Sequence, residues 1–322
     1  MKRLLHDFLF VAGCAATVAL VAHMGFRPVA TAIGRVGVQG LLLLGVAHMP
    51  TVAVLGLSWW LIADRPAGSR PAIFAWGRTV RDAGGDLLPF SAIGGYLIGV
   101  RALMLTGVTR VHATVSSLLD IALEQLAKGP YSAVSAGLIR RASPHSSFAT
   151  AGSVVLAASA GATLLAFWAW PWVRRKLLSA AERVGSRAAN GAPRETSPAL
   201  VLTQLVARRD RMVICFMLQL TGWVLGAAET WLALHLLGAP VDFEAALATD
   251  GGYSVIRTVA FAVPAAIGVQ EGSFVALLAL FGVDPPTALA FSLLRRARDV
   301  IVGAPALLLW QVLERQRSAV AC

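Results

Sequence analysis

Six apolar runs constrain this sequence most. They cover residues 8–25, 36–63, 113–139, 148–172, 212–237 and 288–313, and each is 18 to 28 residues long. About 20 consecutive apolar residues in a helix cross the hydrocarbon core of a bilayer. The composition agrees: of 322 residues, 57% are hydrophobic and only 14% are charged. A soluble domain carries about 25% charged residues and at most about half apolar ones. A soluble globular enzyme is thereby excluded. Intrinsic disorder is excluded too, since it requires low hydrophobicity. Runs of this length are helix signals, whereas barrel strands show as alternating segments of about ten residues. The expected class is an all-α polytopic membrane protein.

The net charge of +11, from 28 Lys+Arg against 17 Asp+Glu, would point to nucleic acid in a soluble chain. Here the positive residues fall between the apolar runs, where they report topology, and no nucleic-acid partner is expected. They cluster at Lys2 and Arg3, over 65–81, over 174–211, and at Arg315 and Arg317. The opposite loops hold only Arg27, Arg35, Arg140, Arg141 and Arg257. Positive-inside bias therefore puts both termini in the cytoplasm, in keeping with an even number of spans. The run 8–25 reads as a first span, because no small-residue cleavage site follows it. Cys14, Cys215 and Cys322 show no metal-ligand spacing, so neither metal nor cofactor is expected.

Two stretches, 71–107 and 242–282, are too polar and interrupted for simple spans. Each reads as an amphipathic segment, a break (Pro89 with Gly94 and Gly95; Pro264 with Gly268), then an apolar half. A helical hairpin that enters the membrane and turns back fits this pattern, provided protein or a wet cavity satisfies the freed backbone. A shift of 175 residues carries Pro89 to Pro264, Pro130 to Pro305, Gly107-Val108 to Gly282-Val283, and Ser117-Leu118-Leu119 to Ser292-Leu293-Leu294. Corresponding elements are three spans apart, so the halves run oppositely through the bilayer. The expected architecture is an inverted-topology repeat of two spans, a re-entrant hairpin and one span, giving six full spans and two hairpins. The whole chain, 1–322, forms one membrane domain. Its first half is about 1–145 and its second about 146–322, the latter including a cytoplasmic basic loop over about 173–211.

Ionisable residues at membrane depth cost about 2.5–3.5 kcal/mol each on insertion scales and need partners or water. Asp120 and Glu124 share one face of the third span; Arg295, Arg296, Arg298 and Asp299 lie at the equivalent depth of the sixth. Around the hairpins stand Arg78, Arg81, Asp82, Asp86 and Arg101, then Arg257, Gln270 and Glu271. Asp120 and Glu124 could pair with Arg295 and Arg298 to lock the halves together. Alternatively, Arg257, Arg295 or Arg298 could face a polar cavity and meet an anionic or hydroxylated head group. His48 and His235 fall in spans with no second ligand beside either. Trp59, Trp60, Trp168, Trp170 and Trp172 read as interfacial anchors. No catalytic constellation is present among HExxH, GxSxG, DDxxD or P-loop patterns, so no catalytic residue is assigned.

These residues carry a resemblance. The segment Arg81-Asp82-Ala83-Gly84-Gly85-Asp86-Leu87-Leu88-Pro89-Phe90-Ser91, with Gly94-Gly95, resembles the first-hairpin signature of hopanoid-biosynthesis-associated integral membrane proteins. Val263-Pro264 through Gly268-Val269-Gln270-Glu271-Gly272 resembles their second, and Ser292-Leu293-Leu294-Arg295-Arg296-Ala297-Arg298-Asp299 their last-span motif. This group belongs to the wider family of lysylphosphatidylglycerol-synthase transmembrane regions. At the second tip the chain departs from the group, reading Pro264-Ala265 where the others have Pro-Gly. The resemblance implies a flippase-like protein of the bacterial inner membrane that moves lipid between leaflets or towards the envelope. The implied cargo is a hopanoid or an anionic phospholipid. Partners among hopanoid-processing or export proteins are implied as well, and a homodimer is compatible. Because the sequence ends soon after Arg317, the soluble aminoacyl-transferase part of the synthase relatives is not expected. Two other readings stand beside transport. One is a membrane-embedded lipid-modifying enzyme using Glu271 or Asp120 as acid or base; the other is a scaffold for hopanoid-processing proteins.

Overall fold

The computed structural model describes residues 26–63, 69–87, 92–144, 198–260, 263 and 266–320, with isolated positions between 150 and 172. The spans expected over 8–25 and 148–172 lie outside the described residues or reach them only at isolated positions. Among the described residues the chain is all-helical. Its elements are α1 (Phe26–Ile62), α2 (Pro71–Asp86), α3 (Ala92–Leu105), α4 (Arg110–Ala142), α5 (Pro198–Ala207), α6 (Arg209–Leu236), α7 (Phe243–Val259), α8 (Val269–Ala279) and α9 (Pro285–Val320).

Helix α1 starts ten residues before the apolar run and is kinked at Gly37, whose φ of 60° lies in the left-handed region. Over Ile33–Ile62 and Arg209–Leu236, α1 and α6 are long and apolar enough to cross a membrane. Helices α4 and α9, at 33 and 36 residues, are also long enough, but both carry charges along their length. Thr109 accepts the His112 backbone N–H at the start of α4, and Arg140 and Arg141 sit in its last turn, where they complement the helix dipole. Asp284 caps α9 by accepting the Thr287 backbone N–H at 3.0 Å. Pro130 and Pro305 lie inside continuous helices.

Helices α2, α3 and α8 have 16, 14 and 11 residues. At 1.5 Å per residue each is shorter than a bilayer core of about 30 Å. Helices α2 and α3 pack against one another, as do α7 and α8. Both pairs end in a glycine of positive φ, Gly107 at 92° and Gly282 at 78°, which turns the chain sharply into the next long helix. Residues 198–207, placed in the basic loop by the sequence reading, form α5. Its Val201 and Leu205 are one turn apart and bury against Val115, Leu119 and Leu123 of α4.

The distribution of polarity is that of a helical membrane protein. Leu42, Val46, Met217, Val213, Leu308 and Val312 face outward, while Arg78, Arg81, Asp120, Asp250, Glu271 and Arg298 are buried. Large exposed apolar surface of this kind belongs against lipid. Apolar clusters lie around these charges: Trp59, Phe74, Leu103 and Val108 beside α2 and α3, and Leu234, Phe274, Leu277 and Phe291 beside α8 and α9.

Gly95, read as part of the break after Pro89, lies inside α3 and lets it approach α2 closely. A Cβ there would lie 2.4 Å from the Arg81 carbonyl oxygen and 2.6 Å from the Gly85 nitrogen. These are backbone atoms, so α2 and α3 would have to separate. Gly95→Ala should lower the thermal midpoint in detergent, at a cost of about 1–3 kcal/mol from overpacking. Gly137→Ala, where a Cβ meets nothing within 4 Å, should leave the midpoint unchanged or raise it slightly.

Candidate functional site: two buried charge clusters and their junction

The first cluster joins α2 to α4. Arg78 and Arg81, one turn apart on α2, face Asp120 and Glu124, one turn apart on α4. Asp120 Oδ2 accepts from Arg81 Nη1 at 2.8 Å and from Arg78 Nη1 at 3.0 Å. Glu124 Oε2 lies 3.0 Å from Nη2 of each arginine. Asp82 completes the set, 2.9 Å from Arg78 Nε and 3.3 Å from Arg81 Nε. On the far side, Gln219 of α6 donates to Asp120 Oδ1 at 2.7 Å and to Ser58 of α1 at 3.3 Å. The Trp59 ring lies 5.5 Å beneath the Arg81 guanidinium, and its Nε1 donates to Ser116. Trp59 is therefore a core residue and not the interfacial anchor expected from its position. Each buried charge costs several kcal/mol unless paired; here two cations meet three carboxylates.

The second cluster joins α7 to α9. Arg295 Nη1 donates to Asp250 Oδ1 at 2.7 Å and to Thr230 at 3.4 Å. Tyr131 of α4 donates to Asp250 Oδ2 at 3.0 Å. The Arg295 guanidinium also sits 5.4 Å from the Tyr253 ring and 5.5 Å from that of Phe274. Nearby, Gln270 accepts from Tyr253 at 3.0 Å and donates to Ser292 at 3.2 Å. Glu271 receives the Gly268 backbone N–H at 2.7 Å and pairs with Arg296. It thereby caps α8 and ties it to α9.

Between the clusters, α1, α6 and α9 meet. Glu229 accepts from Thr51 at 2.6 Å and pairs with Arg298, whose Nη2 lies 2.9 Å from Asp299. His48 Nδ1 is 3.0 Å from Glu229 Oε2. A cavity of about 20 Å³ opens here, lined by Leu44, Glu229, Thr230, Ala233, Phe291, Arg295 and Arg298. That is room for about one water molecule.

The structure changes the pairing expected from the sequence. Asp120 and Glu124 bond Arg78 and Arg81 of α2, whereas Arg295 bonds Asp250 and Arg298 bonds Glu229. The shift of 175 residues matches depth along a helix but says nothing of rotation about its axis. The contact between α2 and α7 is instead Arg257 to Asp86. Arg101 lies apart, in an exposed pair with Glu314 at 2.9 Å. Gly94 and Gly95 lie inside α3, and Gly268 caps α8. Pro89 and Pro264 lie outside the described residues.

Sequence reasoning passed over Asp250, Glu229, Thr51, Gln219 and Tyr131. A signal for Glu229 was present: it is the one carboxylate within residues 212–237, and a lone acid in an apolar run needs a partner. His48, read as having no second ligand beside it, has Glu229 and Arg298 as its polar neighbours.

Apolar helices around a buried network of ion pairs define a lipid-embedded helical protein. The chain belongs to the lysylphosphatidylglycerol synthase TM region family, whose profile matches residues 7–306. Neither the curated proteins nor the solved structures yield a significant match. The family places the protein among membrane proteins connected with lipids.

Proposed function

We propose that this protein moves a lipid between the leaflets of the bacterial inner membrane, acting as a flippase-like transporter with both termini in the cytoplasm. The observation that carries the reading is the correspondence of two halves across a charged interior. At the shift of 175 residues, the starts of α4 and α9 coincide at Arg110 and Pro285, and the turns before them at Gly107 and Gly282. Helices α1 and α6, α2 and α7, and α3 and α8 then overlap in order. The packing is paired in the same way: α1 lies on α6, and α2 lies on α9 as α7 lies on α4. Hairpin helices too short to span, entering from opposite faces, make the halves an inverted repeat of the kind used for alternating access.

Within this frame the clusters divide the work. The first, with its hydrogen bonds around Asp120, holds α2 to α4 and ties both to α6 through Gln219. The second holds Arg295 against Asp250 and the junction holds Arg298 against Glu229; a lipid head group would replace these carboxylates only once the halves part and the water-sized cavity widens. The resemblance of the hairpin and last-span motifs makes a hopanoid the first candidate cargo and an anionic phospholipid the second. Hopanoid-processing or export proteins would then take or supply the lipid.

A leaflet-resolved assay on purified protein in vesicles tests this. Fluorescent or chemically tagged hopanoid and anionic phospholipid should cross several-fold faster than in protein-free vesicles. Transfer of neither, by protein that is folded and inserted, would overturn the proposal. Chemical conversion of the lipid would favour the enzymatic reading instead.

A further inference from the structure

The junction of α1, α6 and α9 contains a conflict of hydrogen bonding that a single proton resolves. His48 Nδ1 lies 3.0 and 3.1 Å from the two Glu229 carboxylate oxygens and 2.7 Å from Arg298 Nη1. A guanidinium can only donate, and an ionised carboxylate can only accept. One imidazole nitrogen cannot serve both at once. With the neutral ring's hydrogen on Nε2, Nδ1 accepts from Arg298; in the imidazolium, Nδ1–H donates to Glu229 and the added charge repels Arg298.

The surroundings allow both arrangements. Glu229 keeps Thr51 as a donor in either state. Arg298 has a second carboxylate within reach, Asp299 at 2.9 Å. Its Nε is buried without a hydrogen-bond partner, and Arg298 lines the water-sized cavity together with Arg295 and Glu229. The other charged groups packed near α1 are committed elsewhere. Arg78, Arg81 and Asp82 of α2 bond Asp120 and Glu124 of α4 or each other, and Asp86 bonds Arg257. Arg295 bonds Asp250 of α7. The net effect of a proton therefore falls on the contact of α1 with α6 and α9, where the two halves meet. Histidine is the side chain whose ordinary titration lies between about pH 5 and 8, and chains of acid and histidine at membrane depth are a means of moving protons in pumps and transporters.

We propose that His48 is a proton-binding site that couples transport to protons, its Nδ1 exchanging Arg298 for Glu229 as partner when the proton binds and so shifting α9 relative to α1. The coupling rests on the transport reading above; the switch itself does not. The proton enters from the water on one face, resides on Nδ1, and leaves to the other face after the halves have moved.

Two arms keep these apart. In the first, spin labels are placed at Val38 of α1 and Val312 of α9, both exposed, in protein whose cysteines are replaced by alanine, in nanodiscs. The distance distribution should differ between mildly acidic and mildly alkaline buffer. The shift should be lost in His48→Gln and kept in His235→Gln, a change at an exposed histidine. Where His48→Gln does not accumulate, Glu229→Gln removes the carboxylate that receives the proton's hydrogen bond and should abolish the shift as well. A distribution that does not change with pH, or changes equally in His48→Gln, overturns the switch. In the second arm, a proton gradient across vesicles should speed lipid transfer several-fold in the wild type and not in His48→Gln. Transfer indifferent to the gradient overturns the coupling and leaves the transport reading standing. No transfer under any gradient overturns the transport reading, while the spin-label arm still decides the switch.

Discussion

Asp120→Ala is expected to remove most of the folded protein. The carboxylate is fully buried and accepts from three donors on two helices: Arg78 and Arg81 of α2, and Gln219 of α6. Alanine would leave two buried guanidiniums sharing only Asp82 and Glu124, and would leave Gln219 without its 2.7 Å acceptor. Removing one partner from a buried ion pair costs roughly 3–5 kcal/mol, a large part of the about 5–15 kcal/mol that holds a typical domain folded. The measurement is the yield of monodisperse protein in detergent and its thermal midpoint. Asp120→Asn, which retains one acceptor oxygen, should be milder. Arg101→Ala, at an exposed pair with Glu314, should change stability by less than about 1 kcal/mol. Wild-type yield and midpoint for Asp120→Ala would show that the first cluster does not hold the fold.

The second large effect separates folding from transport. In the double variant Asp250→Leu with Arg295→Met, both buried charges are removed together and replaced by apolar side chains of similar bulk. Such exchanges are often neutral for stability. The residual cost falls on two hydroxyls: Tyr131 loses its acceptor at 3.0 Å and Thr230 its longer contacts with Asp250 and Arg295, together a penalty of about 1–3 kcal/mol. The double variant should therefore accumulate in the membrane, while Asp250→Leu alone should not, because it strands Arg295. Transfer in vesicles should nevertheless fall at least about tenfold in the double variant, a change of about 1.4 kcal/mol or more in barrier. Transfer at the wild-type rate would reduce the Asp250–Arg295 pair to a structural contact.

Much of the helix pattern was legible because length and polarity suffice for it. The runs 113–139 and 288–313 sit inside α4 and α9, and the interrupted stretches 71–107 and 242–282 contain the pairs α2–α3 and α7–α8. The positions of Gly107 and Gly282 follow from their place between an apolar helix and the next long one. What was not legible is orientation about each helix axis. Depth alone suggested Asp120 with Arg295; rotation turns Asp120 towards α2 and Arg295 towards α7. Trp59 lay near a span end, as an interfacial anchor would, yet its ring supports Arg81. Gly95 read only as part of a helix break, because its close neighbours, Arg81 and Gly85, belong to the preceding helix. Glu229 is a different case: its partners could not be named from sequence, but an isolated carboxylate in an apolar run already demanded some.

Transport as proposed requires the two halves to lie in opposite senses around the buried charges. Arg110 and Pro285, at the equivalent starts of α4 and α9, are both exposed, and each can be replaced by cysteine after Cys14, Cys215 and Cys322 are changed to alanine. Labelling with a membrane-impermeant maleimide in vesicles of known orientation then reads the face of each. The account predicts that residue 110 reacts from the cytoplasmic side and residue 285 from the opposite side. Reaction of both from the same side would contradict it.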